Sequence, residues 1–180
     1  MTKKVCIIST TLRKNGNSEL LANEFYKGAK DAGHDVKMIS LIDKTIHFCK
    51  GCLTCQNNGF CAIKDDVNAI EDAVLNSDVV VFATPIYYYE MSGQMKTLLD
   101  RMNAMFPKEY KFRDIYFLAS AAEEEDTAMD YAIQGLKGWV ECYEKSSLKG
   151  VVKAIGVTDI GDIKQHQHYL EESYALGKGI

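Results

Sequence analysis

Blocks of consecutive apolar residues alternate along this chain with blocks whose apolar residues recur every three or four positions. Val5-Cys6-Ile7-Ile8 is an unbroken apolar run, the pattern of a strand covered on both faces. From about Ser18 to Ala32, Leu21, Phe25 and Ala29 fall four apart, which predicts a helix with one buried face. Val36 to Leu41 predicts a second strand, and Val67 to Leu75 a helix with Val67, Ile70 and Val74 on one side. Val79-Val80-Val81-Phe82-Ala83 is rich in β-branched residues and predicts a third strand. Helices are then predicted over Gly93–Met105 and Ala128–Tyr143, with strand Ile115–Ala119 between them, followed by strand Val151–Val157 and helix His168–Leu176. Strict alternation of this kind implies parallel strands joined by right-handed helical crossovers, hence an α/β doubly wound three-layer sandwich.

Bulk properties add limits rather than identity. The 180 residues are 47% hydrophobic, enough for one core, and they show no repeat and only two prolines. Residues 1–180 are therefore expected to form a single domain, with a cysteine-rich insertion at about 47–64. Net charge is −4 with both signs mixed and no basic stripe, which argues against a nucleic-acid partner. No apolar run reaches the ~20 residues of a membrane span, and the apolar stretch after Lys4 is too short for a secretory leader. A cytoplasmic location is expected, a compartment where clustered thiols more often bind metal or do redox work than form disulfides.

Ligands of doubly wound sheets bind beyond the carboxyl ends of the strands. The loop after strand one, Ser9-Thr10-Thr11-Leu12-Arg13-Lys14-Asn15-Gly16-Asn17-Ser18, lacks the G-x-G-x-x-G and Walker A patterns. It is rich in hydroxyls and amides, and Asn17 or Ser18 can cap the helix that follows. A phosphate monoester suits it, with Thr11 and Ser18 donating and Arg13 offsetting charge, although an ordinary polar loop has the same composition. After strand three comes Thr84-Pro85-Ile86-Tyr87-Tyr88-Tyr89, whose aromatic rings need a partner surface. A planar ligand supplies one, and so does a core or a subunit interface.

Together these segments resemble the NAD(P)H-dependent FMN reductase branch of the flavodoxin-like superfamily. Thr11 to Ser18 is similar to that family's phosphate loop, with Thr11-Leu12 standing where the family has Ser-Pro. Pro85-Ile86-Tyr87-Tyr88 and the downstream Ser92-Gly93, Lys96 and Asp100-Arg101 look like its flavin-ring loop and following helix, and the stretch Gly156–Ile163 is also of its kind. The resemblance implies a flavodoxin-like five-stranded parallel sheet in the order 2-1-3-4-5. It also implies FMN held at its phosphate by Thr11, Arg13, Asn17 and Ser18, and at its ring by Pro85, Ile86, Tyr87 and Tyr88. Ser120, after strand four, would approach the ring from another side. NAD(P)H is the implied electron donor and a quinone, free flavin or other small molecule the acceptor. No side chain is needed as an acid or base, and a homodimer or homotetramer is expected.

Cys49, Cys52, Cys55 and Cys61 form a C-x2-C-x2-C-x5-C run unlike the spacing of a ferredoxin or a zinc ribbon. The same superfamily includes iron–sulfur flavoproteins with a compact cysteine run after strand two, so these four are the expected ligands of a [4Fe–4S] cluster. Such a cluster would exchange electrons with a ferredoxin-type partner. Zinc, cluster-free redox thiols and a non-enzymatic zinc or thiol sensor remain the alternatives. Cys6 and Cys142 are expected to be buried apolar residues. The acidic run Glu123–Asp126 is expected to begin a helix, where it would complement the helix dipole.

Overall fold

The computed structural model describes residues 1–180. Five parallel strands form the sheet: β1 (Lys4–Ser9), β2 (Asp35–Ser40), β3 (Val79–Tyr87), β5 (Asp114–Ser120) and β6 (Ser147–Ala154). They stand in the spatial order β2-β1-β3-β5-β6, with the two-residue β4 (Glu90–Met91) paired antiparallel to the end of β3. Once that hairpin is set aside the order is the one expected, and β4 is the one strand not foreseen. Residues 5–9 of β1 and 79–84 of β3 are buried throughout, as central strands between two layers must be.

Helix α1 (Asn17–Asp31) and helix α6 (Gln167–Lys178) cover one face of the sheet, while α3 (Val67–Leu75), α4 (Gly93–Arg101) and α5 (Asp130–Glu141) cover the other. Leu21, Phe25 and Ala29 of α1 all point into the sheet, as their spacing requires, and the Phe25 ring lies 5.1 Å from that of Tyr116. Two glycines let α1 and α6 touch backbone to backbone. A Cβ placed on Gly28 would sit 2.1 Å from the Tyr174 carbonyl, and one on Gly177 would sit 2.2 Å from that of Phe25. Ser173 donates to the Leu21 carbonyl across the same seam.

Several local expectations are corrected. The acidic run 123–126 lies in a loop, and α5 starts only at Asp130. Helix α4 is shorter than its pattern, because Met102–Met105 tightens into a 3-10 turn. Strand β6 starts four residues early, its exposed edge position needing no apolar run. Cys6 is buried as expected, but Cys142 at the end of α5 is exposed.

The cysteine segment is a long loop between β2 and α3, containing only the short helix α2 (Thr54–Asn58). Its two ends are tied together by Asp65, Asp66 and Arg101: the Asp66 carboxylate accepts from the Thr45 N–H and that of Asp65 from the His47 N–H. Arg101, at the end of α4 and 1% exposed, donates to both carboxylate oxygens of Asp65, at 2.5 and 3.0 Å, and to the carbonyls of His47 and Ile63.

Candidate flavin cleft

At the carboxyl edge of the sheet lies a cleft of about 320 Å³, within the size range of small-molecule sites. Its first wall is the loop after β1. The Thr11 hydroxyl accepts from the Arg13 N–H, and the Gly16 N–H donates to the Arg13 carbonyl, which curls the loop into one tight turn. Any side chain at Gly16 would press on that turn, since a Cβ would stand 3.0 Å from the Arg13 carbonyl and 3.2 Å from the Thr11 hydroxyl. Gly16 itself is the N-cap of α1, with no side-chain cap, so neither Asn17 nor Ser18 caps the helix as expected.

Both residues have other positions. Asn17 donates to the Asp159 carbonyl, and its side-chain oxygen accepts from the N–H groups of Gly161 and Ile163. It therefore ties the start of α1 to the loop after β6. Ser18 is 1% exposed, lines the cleft, and its hydroxyl has no partner. A buried hydroxyl left unpaired is costly, and this one lies beside the first N–H groups of α1, which have no partners within the helix. That pairing favours an anion.

The second wall is the β3–β4 hairpin. Its register pairs Ile86 with Met91 and Tyr87 with Glu90, leaving Tyr88 and Tyr89 as a two-residue turn. Both have positive φ, 51° and 65°, the conformation that such turns normally give to Asn and Gly. Two bulky residues are thus held in a sparsely populated backbone state, a kind of strain that concentrates at ligand sites. Tyr88 is 97% exposed, and Tyr87 and Tyr89 are about half exposed.

Ser120, at the end of β5, and Ala122 and Glu123 beyond it make the third wall. Val157, Thr158 and Ile160 make the fourth, with Arg13 donating to the Thr158 carbonyl at 3.1 Å. All nine residues expected at the cofactor, Thr11, Arg13, Asn17, Ser18, Pro85, Ile86, Tyr87, Tyr88 and Ser120, line this one cleft. Sequence reasoning gave no part in it to Glu123, Thr158 or Ile160. The stretch 156–163 carried family character, but nothing in it names a contact with residues more than a hundred positions earlier.

The four cysteines are not brought together in this way. Cys49 and Cys52 are exposed, Cys61 is half-buried, and the buried Cys55 thiol accepts from the Asn103 amide at 3.4 Å. No three His, Cys, Asp or Glu side chains in the chain are grouped to hold a metal ion, so the thiols as placed do not fit a cluster. Hydrogen bonds from Thr54 hold the exposed Cys52 thiol below the usual cysteine range. Burial works against the charge on Arg101, but its bonds to Asp65 outweigh it, with Cys61 adding to the effect, and raise the guanidinium further. No helix is long and apolar enough to cross a membrane.

The profile of the NADPH-dependent FMN reductase family matches residues 3–144. An iron–sulfur flavoprotein of Archaeoglobus fulgidus is 37% identical over 90 residues, which are 50% of this chain and 41% of that one. Another, from Methanocaldococcus jannaschii, is 37% identical over 98 residues, 54% of this chain and 51% of the relative. The chain thus spans about half the length of these two relatives. Among solved structures, the NAD(P)H:quinone oxidoreductase of Methanothermobacter marburgensis superposes with a TM-score of 0.75 at 16% identity, covering 99% of this chain and 96% of its own. That likeness is one of fold. The profile covers most of the chain, and the chain belongs to the NADPH-dependent FMN reductase family.

Proposed function

We propose that this chain is an oxidoreductase that binds FMN in the cleft and passes electrons from NAD(P)H to a quinone, free flavin or other small flat acceptor. The observation that carries the reading is the unpaired Ser18 hydroxyl, enclosed in the same cleft as the strained tyrosine hairpin. One feature calls for an anion and the other for a flat aromatic surface, and FMN has both. Bound there, FMN would supply hydride and electron transfer chemistry.

The chain's own residues bind and orient. The Ser18 hydroxyl would donate to a phosphate oxygen. The Thr11 hydroxyl is free to do the same, because it accepts from Arg13 N–H and keeps its own proton. Arg13 would offset phosphate charge while staying tied to the Thr158 carbonyl. Asn17 has its amide engaged with residues 159–163, so it would shape the loop from behind. Pro85, Ile86 and Tyr87 would line the ring with Ser120 opposite, and Tyr88 would shield an edge from water. No proton need be moved by a side chain.

The reading is tested by titrating the apo-protein with FMN while following flavin fluorescence, then assaying NADH and NADPH oxidation with a quinone acceptor. Micromolar or tighter binding that weakens about tenfold in Ser18→Ala supports it. A wild-type protein that takes up no FMN refutes it. A homodimer or homotetramer, and a single domain over residues 1–180, belong to the same reading and are checked by light scattering and by a single unfolding transition.

A second reading comes from the names of the relatives and the cysteine spacing: a [4Fe–4S] cluster at Cys49, Cys52, Cys55 and Cys61, exchanging electrons with a ferredoxin-type protein. The thiols would have to move together to form it. Anaerobic reconstitution followed by iron and sulfide analysis decides the matter, and protein without iron after that treatment removes this reading while leaving the first intact.

A further inference from the structure

Three hydroxyls lie together behind the cleft, each wholly enclosed: Thr10, Thr84 and Ser92. None of them lines the cleft itself. Thr10 opens the first loop, Thr84 precedes Pro85, and Ser92 follows the tyrosine hairpin and caps α4 through the Met95 N–H.

Counting protons gives the group a direction. Thr10 donates to the Ala83 carbonyl at 3.1 Å, which has no proton to return. Its other partner, the Ser92 hydroxyl at 3.2 Å, must then donate to Thr10. With its own proton used, Ser92 accepts from the Thr84 hydroxyl at 3.1 Å and from the Met95 N–H at 3.3 Å. Thr84 in turn accepts from the Ser92 N–H, and it shares its single proton with the Pro85 carbonyl. The string runs one way, Thr84 to Ser92 to Thr10 to β3. Enclosed strings of this kind polarise one another and are costly to break at any link.

We propose that Ser92 is a positioning residue for the flavin, its hydroxyl locking the tyrosine hairpin to the phosphate loop so that ring and phosphate are gripped at a fixed separation. This rests on the FMN reading above. The hairpin needs such a lock. Tyr88 and Tyr89 both hold left-handed backbone angles without being glycine, and states of that kind persist only where the surroundings over-determine them. Two residue pairs with β4 are a slender restraint by themselves. The hydroxyl string adds a tie at each end of the hairpin, at Thr84 and at Ser92, and joins both to Thr10.

Ser92 also caps α4, so its removal alone would not separate positioning from helix stability. Thr10 separates them, because it belongs to the string and caps nothing. The experiment compares wild type, Ser92→Ala, Thr10→Val and Thr10→Ser by FMN titration of the apo-protein and by spectroelectrochemical measurement of the bound flavin's midpoint potential. Ser92→Ala and Thr10→Val are each expected to raise the FMN Kd about tenfold, the effect of one enclosed hydroxyl left unpaired. Both should also move the midpoint potential, and Thr10→Ser, which keeps the hydroxyl, should match wild type in both. If Thr10→Val binds within about twofold of wild type at an unchanged potential, Ser92 is only a helix cap and the proposal fails. Thr10→Val keeps the shape of the side chain, so it decides the question even if Ser92→Ala does not fold. Wild type that takes up no FMN overturns the cofactor reading itself, a result distinct from binding without the expected shifts.

Discussion

Replacing Arg101 by Met removes the buried cation that holds both ends of the cysteine loop to α4. The guanidinium makes four hydrogen bonds, two to Asp65 and one each to the carbonyls of His47 and Ile63, and both charged side chains are essentially dry. Breaking a buried pair from one side costs about 3–5 kcal/mol, because the remaining charge is stranded. Here the stranded group is Asp65, together with two carbonyls worth roughly 1–3 kcal/mol each if they stayed dry. The loop can open to water, so the net loss should stay near the pair value of ~4 kcal/mol rather than reach the full sum.

Urea unfolding of Arg101→Met is therefore expected to show that loss, with protease cleavage appearing near Lys50 and Lys64. The double variant Arg101→Met with Asp65→Leu should recover part of the stability, since no charge is left unpaired even though the N–H groups of His47 and Val67 lose their acceptor. The sign with pH is also set. Burial pushes the Asp65 carboxyl up, but the Arg101 bond and the N–H groups of His47 and Val67 more than reverse this and hold it below the ordinary value. In wild type this stability is present above the ordinary carboxylate range and is lost as pH falls through the lowered value. Without Arg101 the carboxyl has burial against it, so the gap between the two proteins should narrow in acid. A loss under about 1 kcal/mol, or a double variant worse than the single, would refute the clamp.

Glu71 gives a second pH test: it is 2% exposed, one of its oxygens has no partner, and burial pushes it up to about 7 despite attraction from Lys108 and Arg101. It takes up a proton on folding between its ordinary value and that one, so stability should fall as pH rises through this window, with a ceiling on the order of 3 kcal/mol. Glu71→Gln should lack this component, and a wild-type-minus-variant difference that stays constant from about pH 4.5 to pH 8 would count against it. Gly28→Ala forces a methyl into the Tyr174 carbonyl and should cost ~2 kcal/mol or more, seen as a melting temperature lower by about 4–8 °C. Replacing Tyr88 by Asn and Tyr89 by Gly together should relieve the turn and raise the apo-protein's stability by roughly 1 kcal/mol, while weakening FMN binding. A double variant that gains both stability and affinity would show that the tyrosines serve no ligand.

The sheet could be read from the sequence because its central strands β1, β3 and β5 are dry on both sides, and a run such as Val79–Ala83 admits few other readings. The cleft could be read for a related reason. Its two main walls are each one contiguous segment at the end of a central strand, so neighbours in sequence are neighbours in space. What escaped was long-range or rule-breaking. Asn17 looked like a cap, and only the fold brings it against residues 161 and 163. The β3–β4 turn uses Tyr-Tyr where Asn-Gly is usual, so no hairpin signal was present. The acidic run suggested a helix start, but the backbone delays α5 until Asp130. The cysteine spacing implied a shared ligand, yet the chain passes through a left-handed Leu53 between an exposed Cys52 and a buried Cys55.

The glycine seam between α1 and α6 bears on the order in which the molecule can be finished. Helix α1 carries Ser18 but leaves the ribosome early, whereas Gly177 and the 157–160 wall are made more than a hundred residues later. Contacts between such distant segments are the slow ones to form. During synthesis the first helix must wait with one side uncovered and its cleft lacking a wall. On the FMN reading proposed above, cofactor capture must wait for the 157–160 wall, and a protease that trims the last helix is expected to weaken it without touching a residue that lines the cleft.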